Sequence, residues 1–173
     1  MTTTINASTS SGLVVTPDNS GFVQLQYNGV AGPAFNAALS GYNGGVSVTA
    51  FNPIIFNVTQ YERGGTNYST SNGRFTAPIS GFYFLAFNLL LDSSQGAGDI
   101  NIKLYLNGSN NTTYPQTFYS SRISSAYQML DATFVMNLTA GQYITVVPQS
   151  TMIFFGGNGT SDTQTRFMGY LIA

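Results

Sequence analysis

The sequence predicts an all-β protein, and three observations carry that prediction. Its apolar residues fall in short runs, several runs alternate with polar residues at period two, and turn-forming clusters such as Asn28-Gly29, Asn107-Gly108 and Thr139-Ala140-Gly141 separate them. Ser, Thr, Asn, Gly and β-branched residues dominate, and all are poor formers of helix interiors. The pattern is that of a sandwich or barrel.

In chain order, residues Met1 to Gly29 read as a leader, distinct from the rest. Thr2 to Ser11 is polar and aperiodic, and a disordered tail is an equal reading of it. Leu13-Val14-Val15, a Pro17-Asp18-Asn19 turn and the alternation of Val23, Leu25 and Tyr27 with Gln24 and Gln26 suggest two short strands. Asn28-Gly29 closes them with a tight-turn signal. Residues 30–173 carry the core. Ile102, Leu104 and Leu106 alternate with Asn101, Lys103 and Tyr105 before the Asn107-Gly108 turn. Ala132, Phe134, Met136 and Leu138 alternate likewise, and Thr139-Ala140-Gly141 leads into a strand over Tyr143 to Val147. The closing run, Phe167 to Ile172, is apolar enough to belong inside a sheet.

The stretch Phe82 to Leu91 is the most informative. Strand side chains alternate between faces, so Phe82, Phe84, Ala86 and Leu90 share one and Tyr83, Leu85, Phe87, Leu89 and Leu91 the other. Both faces are apolar, so both should be covered. One can fill a core; the other needs a second sheet or a neighbouring subunit, unless the strand is simply central to a monomer's core.

Composition narrows the function classes. With 173 residues the chain is one ordinary domain with a small appendage. It has no cysteine, which excludes disulfides, thiolate metal sites and cysteine nucleophiles. Only 6% of residues are charged, against about 25% in ordinary soluble domains. Five scattered cations cannot form the basic stripe that nucleic acid needs, nor bind an anionic membrane surface. So little charge beside 43% hydrophobic residues suggests that an oligomer hides part of the surface, the alternative being a monomer solubilised by Asn, Ser, Thr and Gln. The start has neither a basic nor an apolar segment, so no secretion signal is read and synthesis in a cytosol is expected. The longest apolar run, Gly81 to Leu91, is too short to span a membrane as a helix, which takes about 20 residues. Sequons such as Asn57-Val58-Thr59 are expected by chance in so Asn- and Thr-rich a chain.

The chain also lacks histidine, which removes the commonest general base, every Ser-His-Asp triad and every histidine metal site. The Gly-rich pieces, Gly41 to Gly45, Gly64-Gly65 and Gly156 to Gly159, contain no phosphate-binding or dinucleotide fingerprint and read as loops. A pair of carboxylates drawn from Glu62, Asp92, Asp99, Asp131 and Asp162 could in form serve a glycosidase, but six scattered acids give that reading little weight. No enzyme and no cofactor is expected. Tyr61, Tyr68, Tyr114, Tyr119 and Tyr127 lie in or near polar loops where a ligand could be anchored, although for each one singly a tyrosine packing its ring on the core is the better supported reading, and none is singled out as a contact.

From Phe56 to Phe87 the chain resembles the signature of the C1q domain. Phe56, Tyr68 and Phe75 fall at its aromatic positions, Phe75-Thr76-Ala77-Pro78-Ile79-Ser80-Gly81-Phe82-Tyr83 is similar to its most distinctive piece, and Phe87 fits its last aromatic. Ala34-Phe35-Asn36-Ala37, Leu106-Asn107-Gly108, Leu138 to Gln142 and Phe167 to Ile172 resemble further landmarks in the right order, so the likeness covers everything except the leader. Three departures stand out: Glu62 occupies an Asn/Asp position, the loop to Tyr68 is one residue longer, and Leu85 replaces a Phe. The resemblance implies a C1q/TNF-like jelly-roll β-sandwich that closes as a homotrimer, with Phe35, Phe75, Tyr83, Phe87 and Tyr170 in the core or the trimer contact. Some family members bind calcium near the trimer axis; Asp92 and Asp99 are the nearest candidates here, and they make no convincing ligand cluster, so no metal is expected.

The leader resembles the N-terminal segments of phage and prophage tail or fibre proteins, through Thr3 to Leu13 and Gly21 to Gln26. Together the two likenesses imply a homotrimeric bacteriophage virion structural protein, either capsid-decorating or a short head fibre. It would be assembled in host cytoplasm and held to other virion proteins by the leader. About 30 residues before the head reach at most ~100 Å, which favours that role. A tail-fibre tip that binds a host surface glycan or protein, and a bacterial C1q-like adhesion module, are the alternatives.

Overall fold

A computed structural model describes residues 26–27, 30–110, 116–122, 126–158 and 164–172. The expected strand at Leu13-Val14-Val15, the turn at Pro17-Asp18-Asn19, Tyr114 and Asp162 lie outside the described residues. The chain forms two compact units, 1–31 and 32–173. In the first, β1 (Gln26–Tyr27) and β2 (Val30–Ala31) pair antiparallel, with Tyr27 opposite Val30 on either side of Asn28-Gly29.

The second unit is an all-β sandwich with no helix among the described residues. Its strands are β3 (Ala34–Ala38), β4 (Gly44–Val48), β5 (Val58–Arg63), β6 (Tyr68–Ser69), β7 (Arg74–Thr76), β8 (Gly81–Leu91) and β9 (Gly98–Leu106). There follow β10 (Ser109–Asn110), β11 (Gln116–Arg122), β12 (Gln128–Leu138), β13 (Tyr143–Pro148), β14 (Met152–Gly156) and β15 (Arg166–Leu171). One sheet has six strands in the order β10-β9-β13-β7-β6, with β11 on the same side of β9 as β10. The other has seven, β4-β14-β8-β15-β3-β5, with β12 along the far side of β8. Every named strand pair is antiparallel, and β8, the long apolar strand, lies at the centre of its sheet.

Turn chemistry places the reversals where the sequence put them. Asn107 (φ 52°) and Gly108 (φ 77°) are both left-handed, the geometry that lets two residues join β9 to β10. Between β12 and β13, Gly141 takes φ 87° and the Gln142 N–H donates to the Thr139 carbonyl.

The aromatic residues of the family signature meet between the sheets. The Phe35 ring stacks on Phe75 at 4.5 Å and on Tyr68 at 5.4 Å, and Phe167 meets it edge-on at 5.0 Å. Phe56 and Tyr83 join the cluster, and Phe87 contacts Phe118 and Phe134. Aromatic pairs of this kind contribute about 0.5–1.5 kcal/mol each beyond their burial. Leu85, where the signature has Phe, is fully buried, and Gly169 lies opposite it in register. A Cβ on Gly169 would come within 2.8 Å of the Phe84 carbonyl oxygen and 2.9 Å of the Phe35 ring, so this close approach requires glycine.

Glu62 has a specific job in the lengthened loop. Its carboxylate accepts the backbone N–H groups of Asn67 and Tyr68, while the Asn67 amide donates to the Arg63 carbonyl. The longer side chain thus closes the loop and delivers Tyr68 into the core. Tyr68 is 2% exposed and accepts the Phe56 N–H, so it is a core residue, which rules out the reading of it as a loop contact.

Candidate functional site

The alternation of β8 places Tyr83, Leu85, Phe87, Leu89 and Leu91 in the core. It turns Phe82, Phe84, Ala86, Asn88 and Leu90 to the opposite side. No second layer of this chain covers that side among the described residues: Phe82 remains 51% exposed. Register extends the face over neighbouring strands. Met129 and Val135 of β12 lie beside Leu90 and Phe84, and Met168 and Tyr170 of β15 lie beside Ala86 and Phe84. Val135 is 56% exposed, Met129 and Ile172 are also open, and the Tyr170 ring stacks on Phe84 at 5.1 Å. An open apolar face of this sort marks an interaction surface.

The five residues singled out from the sequence therefore separate. Phe35, Phe75, Tyr83 and Phe87 are buried in the core of the single chain. Tyr170 is 48% exposed and belongs to the open face. Phe82, Phe84, Met129, Val135 and Met168 share that face with Tyr170, and only Phe82 and Phe84 had been placed on it by alternation. Tyr61, Tyr119 and Tyr127 are exposed, the first two on strands; Tyr127 packs edge-on against Phe155 at 5.5 Å.

A polar row crosses the apolar face. Asp131, Asn88 and Arg166 occupy matching positions on β12, β8 and β15, and the Asn88 amide donates to the Asp131 carboxylate. Beside Met168, Asn36 of β3 keeps its Oδ1 buried with no hydrogen-bond partner among the described residues.

Three of the carboxylates are tied up locally. Asp92 Oδ1 accepts the N–H of Ser94 at 2.8 Å and its hydroxyl at 2.6 Å, Glu62 holds its loop, and Asp131 holds Asn88. No group of three or more His, Cys, Asp or Glu that could hold a metal occurs among the described residues. Burial raises the phenol pKa values of Tyr68 and Tyr83, whose hydroxyls stay neutral; Tyr83 donates to the Ile79 carbonyl at 2.7 Å.

The pattern of the C1q domain matches residues 34–172. No curated protein matched the chain. Among solved structures, the globular domain of zebrafish complement 1qA is similar with a TM-score of 0.60 at 18% identity, covering 82% of this chain and 98% of that one. Eiger TNF from S. frugiperda gives a TM-score of 0.61 at 12% identity, with 82% and 93% covered. Murine APRIL gives 0.54 at 14% identity, with 81% and 98% covered. At these identities the likeness establishes the jelly-roll fold and nothing finer.

Proposed function

This chain belongs to the C1q domain family, and from that premise we propose that it is a non-enzymatic, homotrimeric structural protein of a bacteriophage virion. The single observation that carries the trimer is the open apolar face of the seven-stranded sheet. Phe82, Phe84, Val135 and Tyr170 are too large and too contiguous to be left in water by a chain with only 6% charge. Threefold closure on this face buries it.

The virion role rests on the leader's resemblance to phage tail and fibre segments, with residues 1–29 gripping the particle and residues 30–173 displayed from it. Capsid decoration or a short head fibre is the preferred form. Labelling purified particles with an antibody to the head domain tests this: regular label on the capsid supports it. Label only at the tail tip replaces it with the receptor-binding fibre, and protein found only on cells, away from particles, contradicts it.

A further inference from the structure

The six-stranded sheet carries a second feature, on the side of the sandwich away from the proposed assembly face. A groove of about 410 Å³ lies there, floored by Tyr105, Tyr143, Thr145 and Val147 of β9 and β13. That volume is at the small end of ligand clefts, which run about 300–1,000 Å³. One wall is apolar, from Phe51, Pro53 and Ile55; the other is polar, from Ser71, Asn72 and Arg74.

Phe51 is the residue that needs explaining. Its ring is 63% exposed, and its backbone sits at φ 65°. That left-handed conformation disfavours any bulky side chain, and Gly or Asn is its ordinary occupant. The backbone is nonetheless held, because the Phe51 N–H donates to the Pro148 carbonyl at 2.8 Å and the Ile54 N–H to the Val146 carbonyl at 2.9 Å. An aromatic ring that is both strained at its backbone and open to solvent contributes little to folding; such strain concentrates where a ligand is met.

Charge defines the ligand. The Arg74 guanidinium lies 4.3 Å from the centre of the Tyr143 ring, which positions it, and no carboxylate among the described residues pairs with it. Asn72 Oδ1 accepts the backbone N–H of Arg74, which leaves the Asn72 side-chain amide N–H groups as donors. Arg74 is the cation of the groove's lining; Lys103, opposite Val147 in register, lies on the same face of the sheet outside that lining, and Asp99, the acid on that face of β9, is at the strand's other end. The floor is made of side chains and offers no free sheet edge, so an extended peptide could not pair with it. A flat ring with an apolar C–H face, hydroxyls and one carboxylate matches all of the walls.

We infer that the Phe51–Arg74 groove is a binding site for an acidic saccharide. The sugar ring stacks on Phe51, its carboxylate meets Arg74, and its hydroxyls reach Asn72 and Ser71. The site lies within one chain, so it stands or falls independently of the trimer. The test is calorimetric titration of the full-length protein in its native assembly with glucuronate, glucose, acetate, sulfate and a short oligoglutamate. Glucuronate is expected to bind at least about tenfold more tightly than each of the others. Arg74→Gln should weaken glucuronate by about tenfold or more while leaving the melting temperature near that of the parent. Phe51→Asn should weaken it similarly and raise the melting temperature, because Asn tolerates the left-handed backbone. Glucuronate binding that survives Phe51→Asn overturns the inference. Equal binding of acetate or sulfate, which would make it a simple anion site, overturns it too, as does tighter binding of oligoglutamate.

Discussion

The two faces of β8 are built from similar side chains and do different things. Tyr83, Leu85, Phe87 and Leu89 face the other sheet and are fully buried; Phe82, Phe84 and Leu90, one residue out of step, face outward and are not. Hydrophobicity alone does not separate them. What separates them is company: the inner face meets Phe134, Met136 and Phe167 in a closed aromatic core, whereas the outer face meets Val135 and Tyr170 and ends in solvent. The inner face holds the protomer together, and the outer face is available to hold protomers to each other.

Mutations that cross this divide should fail differently. Phe87→Ala removes a ring packed against Phe118 and Phe134 and is expected to cost about 3–5 kcal/mol, a large part of a domain's total, as a lowered denaturant midpoint. Gly169→Ala forces a methyl against the Phe84 carbonyl and the Phe35 ring and should cost about 1–3 kcal/mol in the same measurement. Glu62→Gln keeps the shape but removes the charge that accepts the Asn67 and Tyr68 N–H groups; a loss of about 1 kcal/mol is expected, with earlier proteolysis in the 63–67 loop. Val135→Asp, on the outer face, should change the stability of a single protomer by no more than about 0.5 kcal/mol, yet abolish assembly because three buried carboxylates would face one another. A Val135→Asp protein that remains fully assembled would move the interface elsewhere.

Alkaline pH sharpens the same contrast. The pKa values of Tyr68 and Tyr83 are raised on folding by burial. Their contribution is therefore complete below the unfolded value of about 10, and is lost as pH climbs from there toward the folded values. Phenolate absorbance should show Tyr68 ionising only as the protein unfolds.

Much of this was legible in the residues. Period-two alternation located β8, β9 and β12, Asn107-Gly108 located a hairpin, and the dispersed signature aromatics proved to be neighbours in one core because that is what holds the two sheets in contact. Phe35, Phe75, Tyr83, Phe87 and Tyr170 were grouped as core or trimer contact with no division between the two. Tyr170 lies three residues from Phe167, and an odd spacing on a strand means opposite faces, which is the signal that divides it from the core. The choice between the two faces of β8 was not legible, since it depends on register with β12 and β15, which pairing sets and composition does not. The groove was invisible for another reason: Phe51 sits in a segment with no periodicity, and its left-handed backbone leaves no mark on a sequence that places Phe there instead of Gly or Asn.

The most direct measurement is the solution mass of the purified full-length protein by light scattering, over a range of concentrations and beside Val135→Asp. A parent species at three times the 18.5 kDa chain, constant on dilution, with the variant at 18.5 kDa and equally folded by circular dichroism, is the predicted result. A stable, well-folded 18.5 kDa parent would contradict the account, because the outer face of β8 would then remain open to water in the native protein.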